Sequence, residues 1–127
     1  MNIPPELRYS ADHEWVRRDG DLLRVGITDY AQDALGDVVF VELPDVGTEV
    51  VANSAFSEVE STKSVSDIFA PVNGIIAEVN ADLEDRPEMV NEDPYGDGWI
   101  CAINPADPTD FEALLDGLAY AALIEEE

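Results

Sequence analysis

Short runs of β-favouring residues, separated by turn residues, dominate the chain as far as Val79. The segments HEWVRR and LLRVGI flank Asp19-Gly20, a dipeptide that readily adopts the positive φ angles of a tight turn, and this predicts a β-hairpin. DVVFVEL is rich in valine and predicts a further strand. DIFAPV and IIAEV are joined by Asn73-Gly74, which predicts a second hairpin.

Helical signals are fewer and are concentrated near the end of the chain. Thr28 stands where an N-cap would precede DYAQDAL, and Gly36 stands where such a helix would end. Thr109 and Glu112 have the spacing of a capping box, and an apolar stripe follows them at helical spacing. Gly117 then divides this region into two short helices, the second covering AYAALIEEE. The pattern predicts a mainly β fold with flanking helices, an α+β class.

The length of 127 residues and the 46% hydrophobic content predict one core, and therefore a single domain over residues 1–127. The formal charge of −23 would repel nucleic-acid phosphates and anionic membrane surfaces, so we expect neither as a partner. Two interpretations of the acidity remain open. It either serves solubility or steers the chain toward basic partner surfaces.

Cysteine content and the terminal sequence bear on location. The single cysteine, Cys101, excludes an intramolecular disulfide framework and a zinc site built on several thiolates. Its alternation with Trp99 and Ile103 predicts a buried, inert thiol in a strand. The first residues lack the pattern of a secretion signal or a transit peptide, and no apolar run has the length of a membrane span. The simplest expectation is a bacterial cytoplasmic protein, and a processed organellar protein would have the same features.

Lys63 is the only lysine, and it lies in a small polar run between AFSEVE and VSDIF, two segments typical of strands. This position predicts a lysine at or near a hairpin tip, accessible to an enzyme that acylates its amine. Spacing alone nevertheless favours the alternative, a solvated ion pair of Lys63 with Glu58, Glu60 or Asp67, which would contribute little to stability. The acidic neighbours disfavour a role as an unassisted Schiff-base nucleophile.

Other chemistry has weaker support. Glu14 and Asp67 have the chemistry of an acid, a base or a cation-holding group, but each is one of 29 acidic residues. His13, the only histidine, supports neither a catalytic triad nor a metal site. No phosphate-binding loop is present. An enzyme using Glu14, Asp67 or His13 stays open as a rival hypothesis.

Several long motifs occur together in order, namely SADHEWVR, VGITDYAQDALGDVVFVELPDVGTEV, VESTKSVSDIFAPVNGIIAEVN and VNEDPYGDGW. In these the chain resembles the H-protein family of the glycine cleavage system, and FEALLDGLAYAAL is similar to the family's C-terminal helices. The resemblance implies a lipoyl/biotinyl-type barrel-sandwich hybrid. In that fold we expect the lipoyl-bearing hairpin around residues 54–70 and helices around residues 108–126.

The resemblance also implies a function without catalysis. The family's lysine that carries lipoic acid in amide linkage falls on Lys63, and the positions matching its arm cleft include Glu14 and Asp67. The flanking Thr62 and Ser64 differ from the methionines usual in biotin carriers, and this favours lipoate. Asp12 and Tyr30 stand where other members often have serine and histidine.

The implied partners are the other components of the system. The carrier would take the aminomethyl group of glycine from the glycine decarboxylase (P protein) to the aminomethyltransferase (T protein). Dihydrolipoamide dehydrogenase (L protein) would then reoxidise the arm, and a lipoyl- or octanoyl-transferring enzyme would attach it. We expect a monomer without a metal. The alternative is a relay protein that donates lipoate to other complexes.

Overall fold

The computed structural model describes residues 1–126, which form nine β-strands, three short α-helices and two 3₁₀ turns. The strands are β1 (Arg8–Tyr9), β2 (Glu14–Asp19), β3 (Leu22–Ile27), β4 (Val38–Glu42), β5 (Glu49–Val50), β6 (Ala55–Ser61), β7 (Val65–Phe69), β8 (Gly74–Val79) and β9 (Cys101–Pro105). The helices are α1 (Asp29–Leu35), α2 (Met89–Glu92) and α3 (Gly117–Glu125), and the 3₁₀ turns cover Ala81–Glu84 and Pro108–Phe111. The mainly β class with short helices is as predicted.

The strands form two antiparallel sheets that share one hydrophobic core. The larger sheet has the order β1-β2-β3-β9-β8-β5, and the smaller has the order β4-β6-β7. Alternate residues of both sheets point inward, so Val25 and Ile103 of the larger sheet belong to the same buried cluster as Val41, Val59 and Ile68 of the smaller one. This common core fixes the small sheet, which contains the predicted modification hairpin, against the large one.

The local signals near the start of the chain are confirmed. β2 pairs with β3 in register from Glu14 opposite Ile27 to Asp19 opposite Leu22, and Gly20 in the turn has a φ of +64°. Thr28 caps α1 by accepting a hydrogen bond from the amide of Ala31. The helix therefore leaves the large sheet at a defined point and leads directly to β4 of the small sheet.

The prediction of an Asn73-Gly74 hairpin is wrong. β7 pairs with β6 in the small sheet, whereas β8 pairs with β5 and β9 in the large sheet. The chain crosses between the sheets through the buried residues Ala70 and Val72. The Asn73 side chain accepts a hydrogen bond from the amide of Ala52. The Asn-Gly pair thus opens β8 at the sheet crossing instead of closing a two-residue turn.

The C-terminal region also differs from its prediction. Asp107, and not Thr109, caps the 3₁₀ turn by accepting from the Thr109 amide, so the proposed capping box does not form. Gly117 is the first residue of α3, whose N-cap is Asp116. The predicted second helix ends with Glu127, which lies outside the described residues. Asp107 takes the place of the predicted capping box because its short side chain reaches the free amide of Thr109 directly.

Helix α3 is held to the large sheet by aromatic packing. The ring of Tyr120 stacks on that of Tyr9 with centroids 4.6 Å apart, and both side chains are fully buried. Trp15 belongs to the same cluster. The backbones of Tyr9 and Leu115 also exchange hydrogen bonds. No helix within residues 1–126 is long and apolar enough to cross a membrane.

Candidate functional site

Lys63 lies at the tip of the β6–β7 hairpin, where sequence analysis placed it. The Ser61 hydroxyl accepts hydrogen bonds from the amides of Lys63 and Ser64, each at 3.1 Å, and donates to the Ser64 carbonyl at 3.2 Å. The Ser61 amide donates to the same carbonyl at 2.8 Å. One serine therefore fixes the backbone of the tip while the Lys63 side chain stays exposed.

The predicted alternative, an ion pair between Lys63 and a neighbouring carboxylate, is wrong for the part of the chain described. The salt bridges found there involve Arg18 and Arg24, and no side chain of residues 1–126 forms one with Lys63. The lysine stem instead lies across Gly36, since a Cβ built on that glycine would be 2.8 Å from Lys63 Cε. The amine is available without first breaking an ion pair.

The hairpin tip is docked on the link between α1 and β4. The Thr62 amide donates to the Asp37 carbonyl at 3.0 Å. Gly36, at the end of α1, has φ of +82° and ψ of −159°, a combination that glycine adopts readily and other residues do not. Together these contacts set the hairpin tip against the end of α1.

A cleft of about 260 Å³ begins beside the tip and extends along α1. Its walls are mostly apolar, and its lining near the hairpin includes Ser64 and Val65. Acidic and aromatic side chains line other parts of it. The lining residues are Asp12, His13, Glu14, Ile27, Tyr30, Ala31, Ala34, Leu35, Ser64, Val65, Ser66, Asp67 and Ile68. The structure thus brings Glu14 and Asp67 together on one cleft next to Lys63.

Glu14 is the most unusual group in the cleft because its side chain is only 1% exposed. The Ser10 hydroxyl donates to its Oε1 at 2.6 Å, and the Phe69 amide donates to its Oε2 at 3.4 Å. Burial raises the pKa of Glu14 to about 8, with a smaller contribution in the same direction from the negative charge of Asp12. The carboxyl group is therefore mainly protonated at neutral pH.

His13 and Tyr30 form an aromatic part of the cleft lining. Their ring centroids are 4.7 Å apart. His13 has a φ of +70°, and its Nδ1 lies 2.8 Å from the hydroxyl of Tyr120, which also contacts Thr28 Oγ1 at 2.7 Å. The imidazole is thus part of a network that joins α3 to the start of α1, and no serine or cysteine nucleophile of the described chain contacts it.

Asp67 is exposed and lies directly opposite Glu58 on β6, and Glu42 on β4 lies opposite Glu58 in turn. These three carboxylates therefore form a row across the outer face of the small sheet. The next row toward the tip contains Phe40, Glu60 and Val65. Asp67 borders both this outer face and the cleft.

Two supporting residues were missed by sequence analysis. Ser10 fixes the Glu14 carboxyl, and its hydroxyl also accepts from the amides of Asp12 and Glu14, each at 3.2 Å. Asn91 of α2 makes three side-chain hydrogen bonds to α1 and the α1–β4 link. A lone serine and a lone asparagine have no distinguishing sequence pattern, so only the fold reveals these roles.

Alternative sites have less support. Cys101 is fully buried in β9, as predicted, and burial raises the pKa of its thiol to about 12. Among residues 1–126 no group of three histidine, cysteine, aspartate or glutamate side chains is arranged to hold a metal ion. A larger depression of about 630 Å³ borders β5 and β8, and its lining shares no residue with the cleft. The lysine tip and its cleft form the candidate site.

Comparisons with known proteins identify the family that the chain resembles in sequence. A family model described as "Glycine cleavage H-protein" matches residues 7–127. The glycine cleavage system H protein of Anaeromyxobacter sp. (strain K) is 57% identical over 127 residues, covering 100% of this chain and 99% of the relative. That of Mycobacterium avium (strain 104) is 56% identical over 130 residues, covering 98% of each chain.

A solved structure is similar over nearly the same length. The crystal structure of a glycine cleavage system H protein from Mycobacterium marinum superposes with a TM-score of 0.88 and is 45% identical in sequence. The match covers 97% of this chain and 99% of that one. This similarity confirms the barrel-sandwich type of fold implied by the sequence resemblance.

Proposed function

The chain belongs to the glycine cleavage H-protein family, and from that premise we propose that Lys63 is the residue that carries its lipoyl group. Members of this family are carrier components of the glycine cleavage system and not catalysts. The protein is therefore a lipoyl carrier in glycine cleavage. Family membership favours this role over both the enzyme hypothesis and the alternative of a relay that donates lipoate to other complexes.

The observation that carries the proposal is the state of the Lys63 side chain. It projects from a hairpin tip whose backbone is fixed by Ser61, and it forms no ion pair with residues 1–126. An acylating enzyme needs a rigid, exposed amine that it can recognise at low entropic cost. As the only lysine of the chain, Lys63 also meets no competition from another side-chain amine.

The cleft beside Lys63 suits a lipoyl arm. Its apolar walls, from Ile27, Leu35 and Val65 among others, match a hydrocarbon chain, and its carboxylates match a cationic end group. When attached, the lipoyl group supplies a disulfide that accepts the aminomethyl group and later releases it. The protein itself contributes binding, orientation and shelter from water.

We assign Glu14 and Asp67 to holding the amine of the aminomethyl cargo. Glu14 is mainly protonated at neutral pH, but a cation approaching within about 4–6 Å favours the ionised carboxyl. Glu14 therefore passes its proton to solvent as the protonated amine docks, and its carboxylate then accepts a charge-assisted hydrogen bond. Ser10 keeps one oxygen in place during this change, since its hydroxyl donates to Oε1. Asp67 adds a second negative charge at the exposed side of the cleft.

We further propose the individual partners and setting. The carrier, a monomer forming one domain over residues 1–127, exchanges its arm between the glycine decarboxylase, the aminomethyltransferase and dihydrolipoamide dehydrogenase. A lipoyl- or octanoyl-transferring enzyme modifies it. The bacterial origin of the relatives supports work in the bacterial cytoplasm. The formal charge of −23 favours basic docking surfaces on these enzymes.

Intact-mass analysis tests the attachment. The chain is incubated with a purified lipoate-ligating enzyme, ATP and lipoate, and is then assayed for glycine cleavage with the three partner enzymes. We expect the wild type to gain the mass of one lipoyl group and to support turnover, and Lys63→Arg to do neither. The matched control, Lys63→Arg with Ser64→Lys, moves the amine by one residue and should be modified far more slowly. An adduct on Lys63→Arg, or turnover supported by it, would refute the proposal.

A further inference from the structure

Asn91 of α2 holds the segment on which the lysine tip rests. Its Oδ1 accepts from the Val38 amide at 2.8 Å, and its Nδ2 donates to the Gly36 carbonyl at 2.8 Å and to Gln32 Oε1 at 3.0 Å. The Asn91 side chain thus uses both of its N–H donors and its oxygen acceptor on α1, the α1–β4 link and the start of β4. One half-buried side chain fixes both sides of the link around Asp37.

The link in turn contacts the hairpin tip directly. The Asp37 carbonyl, between the two backbone groups held by Asn91, accepts from the Thr62 amide at 3.0 Å. The Lys63 stem lies against Gly36, whose carbonyl is one of the groups that Asn91 holds. A continuous series of contacts therefore runs from α2 through the link to the lysine, although Asn91 does not line the cleft.

We propose that Asn91 is a positioning residue for Lys63, holding the α1–β4 link so that the hairpin tip is presented in one orientation to the enzyme that acylates it. This inference rests on the proposed attachment at Lys63. Without Asn91 the Val38 amide and the Gly36 carbonyl lose their partner, and the link can adopt other arrangements. The tip would then keep the internal hydrogen bonds of Ser61 but lose its fixed placement on the body of the protein.

The acylation step itself is unchanged by this role. An ATP-dependent ligase activates the acid as an acyl adenylate, and the unprotonated Lys63 amine attacks its carbonyl carbon. The amide bond forms as the acyl–phosphate bond breaks, AMP leaves, and the amine proton passes to solvent. Asn91 affects only how often the amine reaches the correct place in the enzyme, so its loss should act on enzymatic acylation and not on the chemistry of the amine.

Asn80 provides a matched control for loss of stability. It is also an asparagine with several side-chain contacts, since its Nδ2 donates to the carbonyls of Asp97 and Trp99, each at 2.8 Å. It is buried, and neither of these two partners belongs to the hairpin tip or to the α1–β4 link. Asn80→Ala should therefore destabilise the fold at least as much as Asn91→Ala does, while leaving the hairpin tip in place.

The test compares kcat/KM for ligase-catalysed acylation at a temperature where circular dichroism shows every variant folded. We expect Asn91→Ala to lower kcat/KM about fivefold, a coupling of ordinary size for a network of this kind, and Asn80→Ala to leave it within about twofold of the wild type. Acylation of Lys63 by a small activated ester, mapped by mass spectrometry, should be unchanged in both. Hydrogen exchange at the Thr62 amide should accelerate in Asn91→Ala alone.

Asn91→Ser replaces Asn91→Ala if the alanine variant does not fold, and the same changes are expected of it. Equal kcat/KM for the Asn91 variants and the wild type would overturn the inference. So would an equal loss in Asn80→Ala, because that would assign the effect to general destabilisation. Lys63→Arg separates the two proposals. If Lys63→Arg is acylated like the wild type, the attachment at Lys63 fails. If Lys63→Arg stays unmodified while the Asn91 variants are acylated with the wild-type kcat/KM, the Asn91 inference alone fails.

Discussion

The buried carboxyl of Glu14 should make the fold less stable as the pH rises. Its pKa is about 8 in the folded chain and about 4.5 when free in solution, so between these values the folded state holds a proton that the unfolded state has lost. Stability falls with rising pH wherever the folded state binds more protons. The contribution of Glu14 is therefore fully present below about pH 4.5 and is lost progressively up to about pH 8.

The size of this effect follows from the two pKa values. One pKa unit corresponds to about 1.4 kcal/mol, so the buried carboxyl lowers the free energy of unfolding by on the order of 3 kcal/mol at pH 7. Within the range from pH 6 to pH 9 alone, the free energy of unfolding falls by roughly 3 kcal/mol for this reason. Such a cost is a large share of the stability of a small domain. A buried acid retained at this cost is typical of a functional position.

The perturbation that isolates this effect is Glu14→Gln, measured by urea unfolding at several pH values between 6 and 9. Glutamine cannot ionise, so the downward slope should largely disappear. The amide has one oxygen for the two donors from Ser10 and Phe69, and the lost hydrogen bond costs about 1 kcal/mol. We therefore expect the variant to be roughly 2 kcal/mol more stable than the wild type at pH 7, and more so at pH 9.

Glu84→Gln is the matched control, because Glu84 is exposed and the same atoms are exchanged there. Its unfolding free energy should follow the wild-type pH dependence. Groups other than Glu14 titrate alike in the wild type and in Glu14→Gln, so the difference between these two curves reports on Glu14. If the two curves run parallel from pH 6 to pH 9, the buried carboxyl does not carry the proton inferred here.

Two further experiments test the link and the cleft. Gly36→Ala should lower the free energy of unfolding by roughly 2–3 kcal/mol in urea denaturation, because the φ and ψ of Gly36 are nearly exclusive to glycine. The control Gly20→Ala, at another positive φ with open space around it, should lower it by about 1 kcal/mol. Equal losses in the two variants would contradict this prediction. Glu14→Gln and Asp67→Asn should each lose the aminomethyl cargo about fivefold faster than the wild type, measured as ammonia release from the loaded carrier. The control Glu58→Gln removes the neighbouring charge outside the cleft and should lose the cargo at the wild-type rate. Wild-type retention by both cleft variants would remove these carboxylates from the proposed role.

Local signals in the sequence predicted local structure well. The Asp19-Gly20 turn and the caps of α1 at Thr28 and Gly36 depend on residues only a few positions apart, and each appears in the structure. The hairpin predicted at Asn73-Gly74 is wrong because that prediction also used only neighbouring residues. A dipeptide can favour a turn, but it contains no information on which strands pair, and here the strands on its two sides belong to different sheets.

The candidate site also contains residues that the sequence predicted and residues that it did not. Lys63 was found because it is unique and lies between two strand-like segments, and the family resemblance supplied Glu14 and Asp67. Burial of Glu14 and the contacts of Ser10 and Asn91 were not predictable. Asn91 meets Val38 across 53 residues of sequence, so its role exists only once α2 has packed against α1. Nothing in composition separates a buried acid from 28 others.

The charge around Lys63 depends on where the arginines lie and on which carboxylates they pair with. On the large sheet Arg24 lies 4.3 Å from the ring of Trp99 and pairs with Asp19, and Arg18 similarly pairs with Glu112. The small sheet and its hairpin contain no basic residue except Lys63.

Acylation at Lys63 would convert the ammonium into a neutral amide. The only charged groups left on the outer face of the small sheet would then be the carboxylates of Glu42, Glu58, Glu60 and Asp67. The modifying enzyme would thus meet a face with one positive charge, and every later partner would meet a more negative one. Because like charges oppose docking and opposite charges accelerate it, this change favours release from acidic groups of the modifying enzyme and association with basic surfaces around the arm.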